Sequence, residues 1–217
     1  SNFDTSLITD LSSPLEGCAR LTSVILGKFN TSKVRDMSGI FASCYQMKSV
    51  DLSNFVTNKM VRMSTMFREC NTLEFLDISN FDTTNVTDMR AMSARCTNLK
   101  TVYVSNKFVT TNVIGSSSMF GGDINLVGGN GTVYDYNNIV KAYARIDGGV
   151  SSPGYFTDGS IPVIRSVNNT STTNSIKVIA DTYVPNGDNI SKIEFSVDGG
   201  STWHEQTNSS IAENIYT

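Results

Sequence analysis

Charge is scarce in this sequence. Only 17% of the 217 residues are Asp, Glu, Lys or Arg, and the net charge of -3 comes without a cluster of Lys and Arg. That excludes the basic footprint by which proteins hold nucleic acids or anionic membrane surfaces. Long apolar runs are missing as well: none approaches the roughly 20 residues of a membrane-spanning helix, and no secretory leader is visible. The vocabulary of catalysis is thin. There is one histidine, His204, with no partner carboxylate or nucleophile identifiable around it. There is no phosphate-binding glycine loop ahead of a helix, no His-Glu-x-x-His and no nucleophile elbow. The cluster Gly128-Gly129-Asn130-Gly131 follows a repeat leucine and precedes a strand pattern, so it reads as a loop. With 39% hydrophobic residues, the chain is still far from a disordered composition and reads as soluble and globular, without enzymatic chemistry.

What fills the chain instead is a repeat. Phe3, Phe29, Phe55 and Phe81 fall 26 residues apart, Cys18, Cys44, Cys70 and Cys96 keep the same step, and Leu21, Met47, Leu73 and Leu99 follow three residues behind each cysteine. A fixed period of this size means a solenoid, in which each unit buries its apolar face against its neighbours. The array runs from Ser1 to about Leu126. Because Ser1-Asn2-Phe3 aligns with Ser53-Asn54-Phe55, the expectation is a fragment that opens just after the strand of an earlier unit.

Within one unit, Leu73-Glu74-Phe75-Leu76-Asp77-Ile78 and Leu99-Lys100-Thr101-Val102-Tyr103-Val104 show the alternation of a short strand. After the phenylalanine comes a threonine (Thr5, Thr31, Thr57, Thr83 or Thr110), then a helix-spaced set such as Val34, Met37, Phe41 and Cys44. The predicted coil is therefore strand, turn, short helix and return loop, with the threonine or a neighbour as helix N-cap. The fold class is an α/β solenoid with 26-residue coils. Stacking turns Phe29, Phe55 and Phe81, the four cysteines, and Leu73 and Leu99 into buried columns, and the eight methionines fill gaps between coils. The cysteines read foremost as buried free thiols; a strained disulfide between neighbours and a zinc site are the alternatives. An acidic column, Asp10, Asp36 and Asp88, is interrupted by Arg62 and Gly115, which favours turn formation over calcium binding. No metal or other cofactor is expected.

The stretch Asn-Phe-Asp-Thr-Thr-Asn-Val-Thr-Asp-Met at 80–89, with Met66-Phe67-Arg68-Glu69-Cys70 and Leu73 to Ile78, resembles the BspA-like leucine-rich repeats of bacterial surface proteins, also described as mycoplasma-type lipoprotein repeats. Departures are Pro14 and Leu15 in the first unit, Ser93 in place of the aromatic in the fourth, and an inserted Lys107. The segments 128–135 and 144–157 look like the ending with which many such arrays close, so the resemblance covers about residues 1–158. Asp123 stands where the fifth unit should carry its cysteine. Ile139, Val140 and Tyr143 are then expected to lie over the last coil as part of a cap spanning about 127–158.

Beyond Ser160 methionine and cysteine vanish, and β-patterned runs at 163–167, 175–180 and 192–197 alternate with turn residues. This resembles the start of an immunoglobulin or fibronectin type III-like module, a partial all-β sandwich at 159–217 after a solenoid at 1–158. Ser196 to Trp203 fits an Asp-box, whose role is a tight hairpin over a packed tryptophan; one copy makes a sialidase-like module only a remote alternative.

Function is then sought on the outward strand positions. Ser23, Ser49, Phe75 and Thr101 form one column and Ile25, Asp51, Asp77 and Tyr103 the other. Phe75 and Tyr103 are candidate anchors, with Ile25 on the same face and Lys48, Asp51, Glu74, Asp77 and Lys100 as a polar rim. The competing reading is that the two aromatics pack on each other or are covered by flanking domains. The resemblance implies a non-enzymatic adhesin on a bacterial cell surface, binding a host or microbial surface protein or glycan, with the β module as spacer. The alternative is a structural segment of a long fibre on a phage, virion or cell wall.

Overall fold

The computed structural model describes residues 5–26 and 29–160 and, beyond them, the backbone of five strands. Two compact units divide the chain, Ser1–Gly159 and Ser160–Thr217. Phe3 and the Asp-box run 196–203 lie outside the described residues.

The first unit is a stack of coils, and its short strands are parallel. β1 (Ser23–Ile25) pairs with β2 (Ser49–Asp51), matching Ser23 to Ser49 and Ile25 to Asp51, so equivalent positions lie side by side one period apart. β3 (Phe75–Asp77) pairs in the same way with β4 (Thr101–Val104). A second ladder of single parallel bridges joins Asp10, Asp36, Arg62, Asp88 and Gly115 in sequence and crosses every coil. Between the ladders the interior is apolar: Met37, Phe41, Cys44, Met63, Phe67, Cys70, Leu73, Phe81, Met89, Cys96 and Leu99 are all fully buried.

The expected short helix is not there, and this overturns the α/β reading. Among the described residues the only helical turns are single 3-10 turns in the cap, Lys141–Tyr143 and Gly149–Ser151. An α-helix needs each amide to bond four residues back within its own segment. Here alternate amides leave the coil: Met37, Gly39, Phe41 and Ser43 donate to the carbonyls of Arg62, Ser64, Met66 and Arg68 on the next coil, at 2.8–3.0 Å. The amides between them close tight turns, Ile40 to Met37, Ala42 to Gly39 and Cys44 to Phe41. Two left-handed residues in each coil aim the amides this way. One column is Ser13, Gly39, Thr65, Ala91 and Ser118, with φ between 49° and 63°; the other is Gly17, Ser43, Glu69, Arg95 and Gly122, with φ between 58° and 92°. The spacing of Val34, Met37, Phe41 and Cys44 looked helical because successive three-residue turns also return side chains to one face every three or four positions.

The conserved place of the threonine has a different cause from capping. Thr31 Oγ1 donates to Val56 O at 3.1 Å and accepts the Val56 amide at 2.8 Å. Thr57 does the same with Asp82 (3.1 and 2.7 Å), and Thr83 with Val109 (both 2.7 Å). Each hydroxyl is buried and uses both its donor and its acceptor capacity to bind one coil to the next. The cysteines are free thiols. Cys44, Cys70 and Cys96 donate to the carbonyls of Leu15, Phe41 and Phe67 on the preceding coil, at 3.3, 3.3 and 2.9 Å. Burial pushes the Cys44 thiol up to about 11, so it stays protonated and keeps its donor. Two column residues depart from expectation: Cys18 is exposed and Phe29 is only partly buried, since both lie on the outermost described coil or at its margin.

The cap closes the stack with a strand borrowed from later in the chain. The fifth coil continues the ladder through the Val127 amide, which donates to Lys100 O, but glycines follow. β5 (Phe156–Asp158) then takes the parallel place beside β4, pairing Val102 with Phe156 and Val104 with Asp158. Tyr155 and Phe156, not Ile139 and Val140, plug the end: Phe120 meets their rings edge-on at 5.2 and 5.7 Å, whereas Val140 is exposed. Tyr143 supports Tyr155 at 5.1 Å, as a side wall of the cap. Gly154 is required, because a Cβ there would run into the Arg145 carbonyl. The loop before β5 is tied by Asp147, whose carboxylate accepts the amides of Asn130, Thr132 and Gly149 and the Thr132 hydroxyl, at 2.7–2.9 Å. Burial raises the Asp147 carboxyl, but these donors outweigh it and hold it at about 2.

In the second unit β6 (Val163–Ser171) and β7 (Ile176–Tyr183) are antiparallel, β10 (Ile215–Tyr216) pairs on the other side of β7, and β8 (Ile193–Phe195) pairs antiparallel with β9 (His204–Gln206). Among the described residues, the segment expected to form a partial sandwich shows these two ladders, and His204 opens a strand.

Two outcomes are expected from this packing. Thr57→Val leaves the Asp82 amide without its buried acceptor and should lower unfolding free energy by about 1–3 kcal/mol, measured by urea denaturation, while Thr57→Ser retains most of it. For Asp147, a depressed carboxyl contributes stability above the ordinary carboxylate range that is lost as pH falls through the folded value. Asp147→Asn should therefore destabilise the cap near neutral pH by about 1–3 kcal/mol, a difference from wild type that shrinks towards pH 2 in acid titrations followed by circular dichroism.

Candidate binding face

The outward strand positions do come together on one side of the stack, but they are not equally available. Tyr103 is 3% exposed, flanked on its rungs by Asp77 and Thr157. It is therefore buried and is not a surface anchor. The borrowed strand β5 is what the sequence could not reveal here, because it enters from residues outside the repeat. Phe75 is half-buried, beside Thr101 on the next rung. Of Ile25 only the backbone position, paired with Asp51, is described.

The polar rim divides by what each side chain already does. Asp51 Oδ1 accepts the Ser53 amide at 3.0 Å and the Ser53 hydroxyl at 2.7 Å, and Asp77 Oδ1 accepts the Ser79 amide at 3.0 Å. Both aspartates close the turn that ends their strand, which is the chemistry Asp favours in such turns. The Ser53 amide and then its hydroxyl hold the Asp51 carboxyl below its usual range. Glu74 and Lys100 pair across adjacent rungs at 2.7 Å, both half exposed. Lys48, on the rung before Glu74, is exposed. What the face offers is a half-buried ring, Phe75, among Lys48, Glu74 and Lys100.

The interrupted acidic column is also explained. Asp10, Asp36 and Asp88 each accept the amide two residues on, from Ser12, Ser38 and Arg90. Arg62, in place of an aspartate, reaches back to Asp36 Oδ2 at 2.6 Å, and Arg90 folds onto Asp88 at 2.6 Å. Burial raises the Asp36 carboxyl, but the Ser38 and Arg62 contacts prevail and lower it. A further cluster escaped the sequence reading: Glu69 collects Arg68 at 2.9 Å, Arg95 at 3.1 Å and the Ser43 hydroxyl at 2.9 Å. The signal was present in the 26-residue spacing of Ser43, Glu69 and Arg95, at the left-handed column. Among the described residues no three His, Cys, Asp or Glu side chains converge as a metal-binding group, and no helix is long and apolar enough to cross a membrane.

Stacked parallel coils with one period between equivalent residues define a solenoid repeat protein. The chain belongs to the family described as "Mycoplasma protein of unknown function, DUF285", whose model matches residues 1–106 and 48–143; this is the family of the BspA-like mycoplasma surface proteins. No curated protein and no solved structure gives a match.

The division of labour on the face has a measurable consequence. Glu74→Gln removes an exposed ion pair and should change stability by less than about 1 kcal/mol. Asp77→Ala frees a turn amide and should cost about 1 kcal/mol or more, both read from thermal midpoints.

Proposed function

We propose that this chain is a non-enzymatic segment of an extracellular surface protein, whose coils form a rigid leucine-rich-repeat-like display and whose β2–β4 face binds a host or microbial surface protein or glycan. The family membership supports a surface protein. The observation that carries binding is the half-buried Phe75 next to the exposed column of Lys48, Glu74 and Lys100, an apolar side chain beside a polar edge. In this reading no nucleic acid, membrane insertion, metal or cofactor takes part, and the second unit serves as spacer.

A second reading, a load-bearing length of fibre on a cell or virion surface, is favoured by a different observation. Tyr103 is buried, Asp51 and Asp77 are engaged in turns, and coil-to-coil hydrogen bonds run along both ladders and the threonine column. Attachment of the full chain to cells and immobilised glycans separates the two. Lys48→Glu and Phe75→Ala, checked for unchanged thermal midpoints, should cut attachment at least about tenfold if the face is a binding centre. Unchanged attachment in both variants supports the fibre.

A further inference from the structure

Ser93 and Asp123 are the two places where the repeat breaks its own columns, and the structure brings them into contact. Ser93 occupies the position of Phe41 and Phe67, and Asp123 the position of Cys44, Cys70 and Cys96. Both are completely buried. Ser93 Oγ lies 2.7 Å from Asp123 Oδ2, and Asp123 Oδ1 accepts the Cys96 amide at 2.9 Å. We infer that this pair is a neutral lock that joins the capped fifth coil to the fourth in a unique register and weakens as the solution goes from acid to neutral.

Neutrality follows first from counting protons. Ser93 Oγ faces two acceptors, Asp123 Oδ2 and, at 3.3 Å, the Met119 carbonyl, which also takes the Ser93 amide. One hydroxyl has one proton, so both contacts are satisfied together only when the carboxyl is protonated and itself donates. The surroundings offer no compensating charge. The Cys96 thiol donates to Phe67 O, and Arg95 sends its guanidinium to Glu69. From the cap, the Tyr134 hydroxyl accepts the Gly122 amide. Burial accordingly pushes the Asp123 carboxyl up to about 7 against the hydrogen bonds of Ser93, Cys96 and Arg95. A carboxyl that binds its proton more tightly folded than unfolded stabilises the fold fully below the unfolded value of about 3.9, and that contribution is lost as pH rises through about 7.

The register follows from the mismatch. A coil with Phe at the Ser93 position would set a ring against the carboxyl, and a coil with Cys at the Asp123 position would leave Ser93 short of a partner. Near-identical coils can otherwise stack out of step by one period, and a single buried polar pair excludes that, as a buried Asn does in coiled coils.

The test uses the full chain. The side-chain carboxyl carbon resonance of Asp123 should titrate near pH 7; titration below about pH 5 would overturn the inference without any variant. The thermal midpoint of wild type should fall relative to that of Asp123→Asn as pH rises from about 4 to about 7 and run parallel to it above about pH 8; equal slopes in the two throughout would also overturn the inference. For register, Ser93→Phe and Asp123→Cys should each destabilise, while the double variant regains at least about tenfold in the folding constant over their sum. Strict additivity would sink the register half.

Discussion

The structure depends on backbone hydrogen bonds that run along the stack instead of around the coil. A polypeptide segment of the length between Val34 and Cys44 can satisfy its amides internally as a helix or externally as a strand. Here it does both alternately, with Met37, Gly39, Phe41 and Ser43 donating to the next coil and Ile40, Ala42 and Cys44 closing turns. That arrangement requires a left-handed backbone at two places per coil, and non-glycine residues such as Thr65, Ala91 and Glu69 accept it there. Local strain of this kind, of order 1–2 kcal/mol per residue, persists only where surrounding bonds determine it. The threonine hydroxyls and cysteine thiols extend the same logic to side chains, each linking a coil to its neighbour.

From this follows the character of the surface. Because turns recur at the same positions, the aspartates that close them recur too, and the apparent acidic stripe and much of the strand-face rim are turn chemistry. Beside the turn aspartates, the strand face carries Phe75 and the column of Lys48, Glu74 and Lys100. The capped end is different again. There the chain leaves the repeat and sends β5 back beside β4, a rung that the repeat itself does not contain, and Tyr103 on β4 is buried.

The interior has one polar exception that is not shared by all coils. Threonine hydroxyls link the coils from Thr31 to Thr83 and cysteine thiols the earlier ones, but at the last junction Asp123 stands in place of a cysteine and pairs with Ser93. An array of interchangeable units gains from such a mark, because apolar columns of Phe, Met and Cys specify burial without specifying which coil meets which.

The period, the buried columns of phenylalanine, methionine and leucine, and the parallel neighbour relation of residues 26 apart were determined by the sequence, since only burial against an equivalent unit satisfies apolar residues at fixed spacing. The path of the chain between columns was not. Apolar spacing at Val34, Met37, Phe41 and Cys44 is common to a helix and to a train of turns, and the choice was made by amides finding carbonyls on a coil that local sequence cannot see. Likewise Phe75 and Tyr103 both stand in outward strand columns, Phe75 in that of Thr101 and Tyr103 in that of Asp77, yet one is half-buried and the other buried. Only the tertiary structure, which decides what lies over each strand position, separated them.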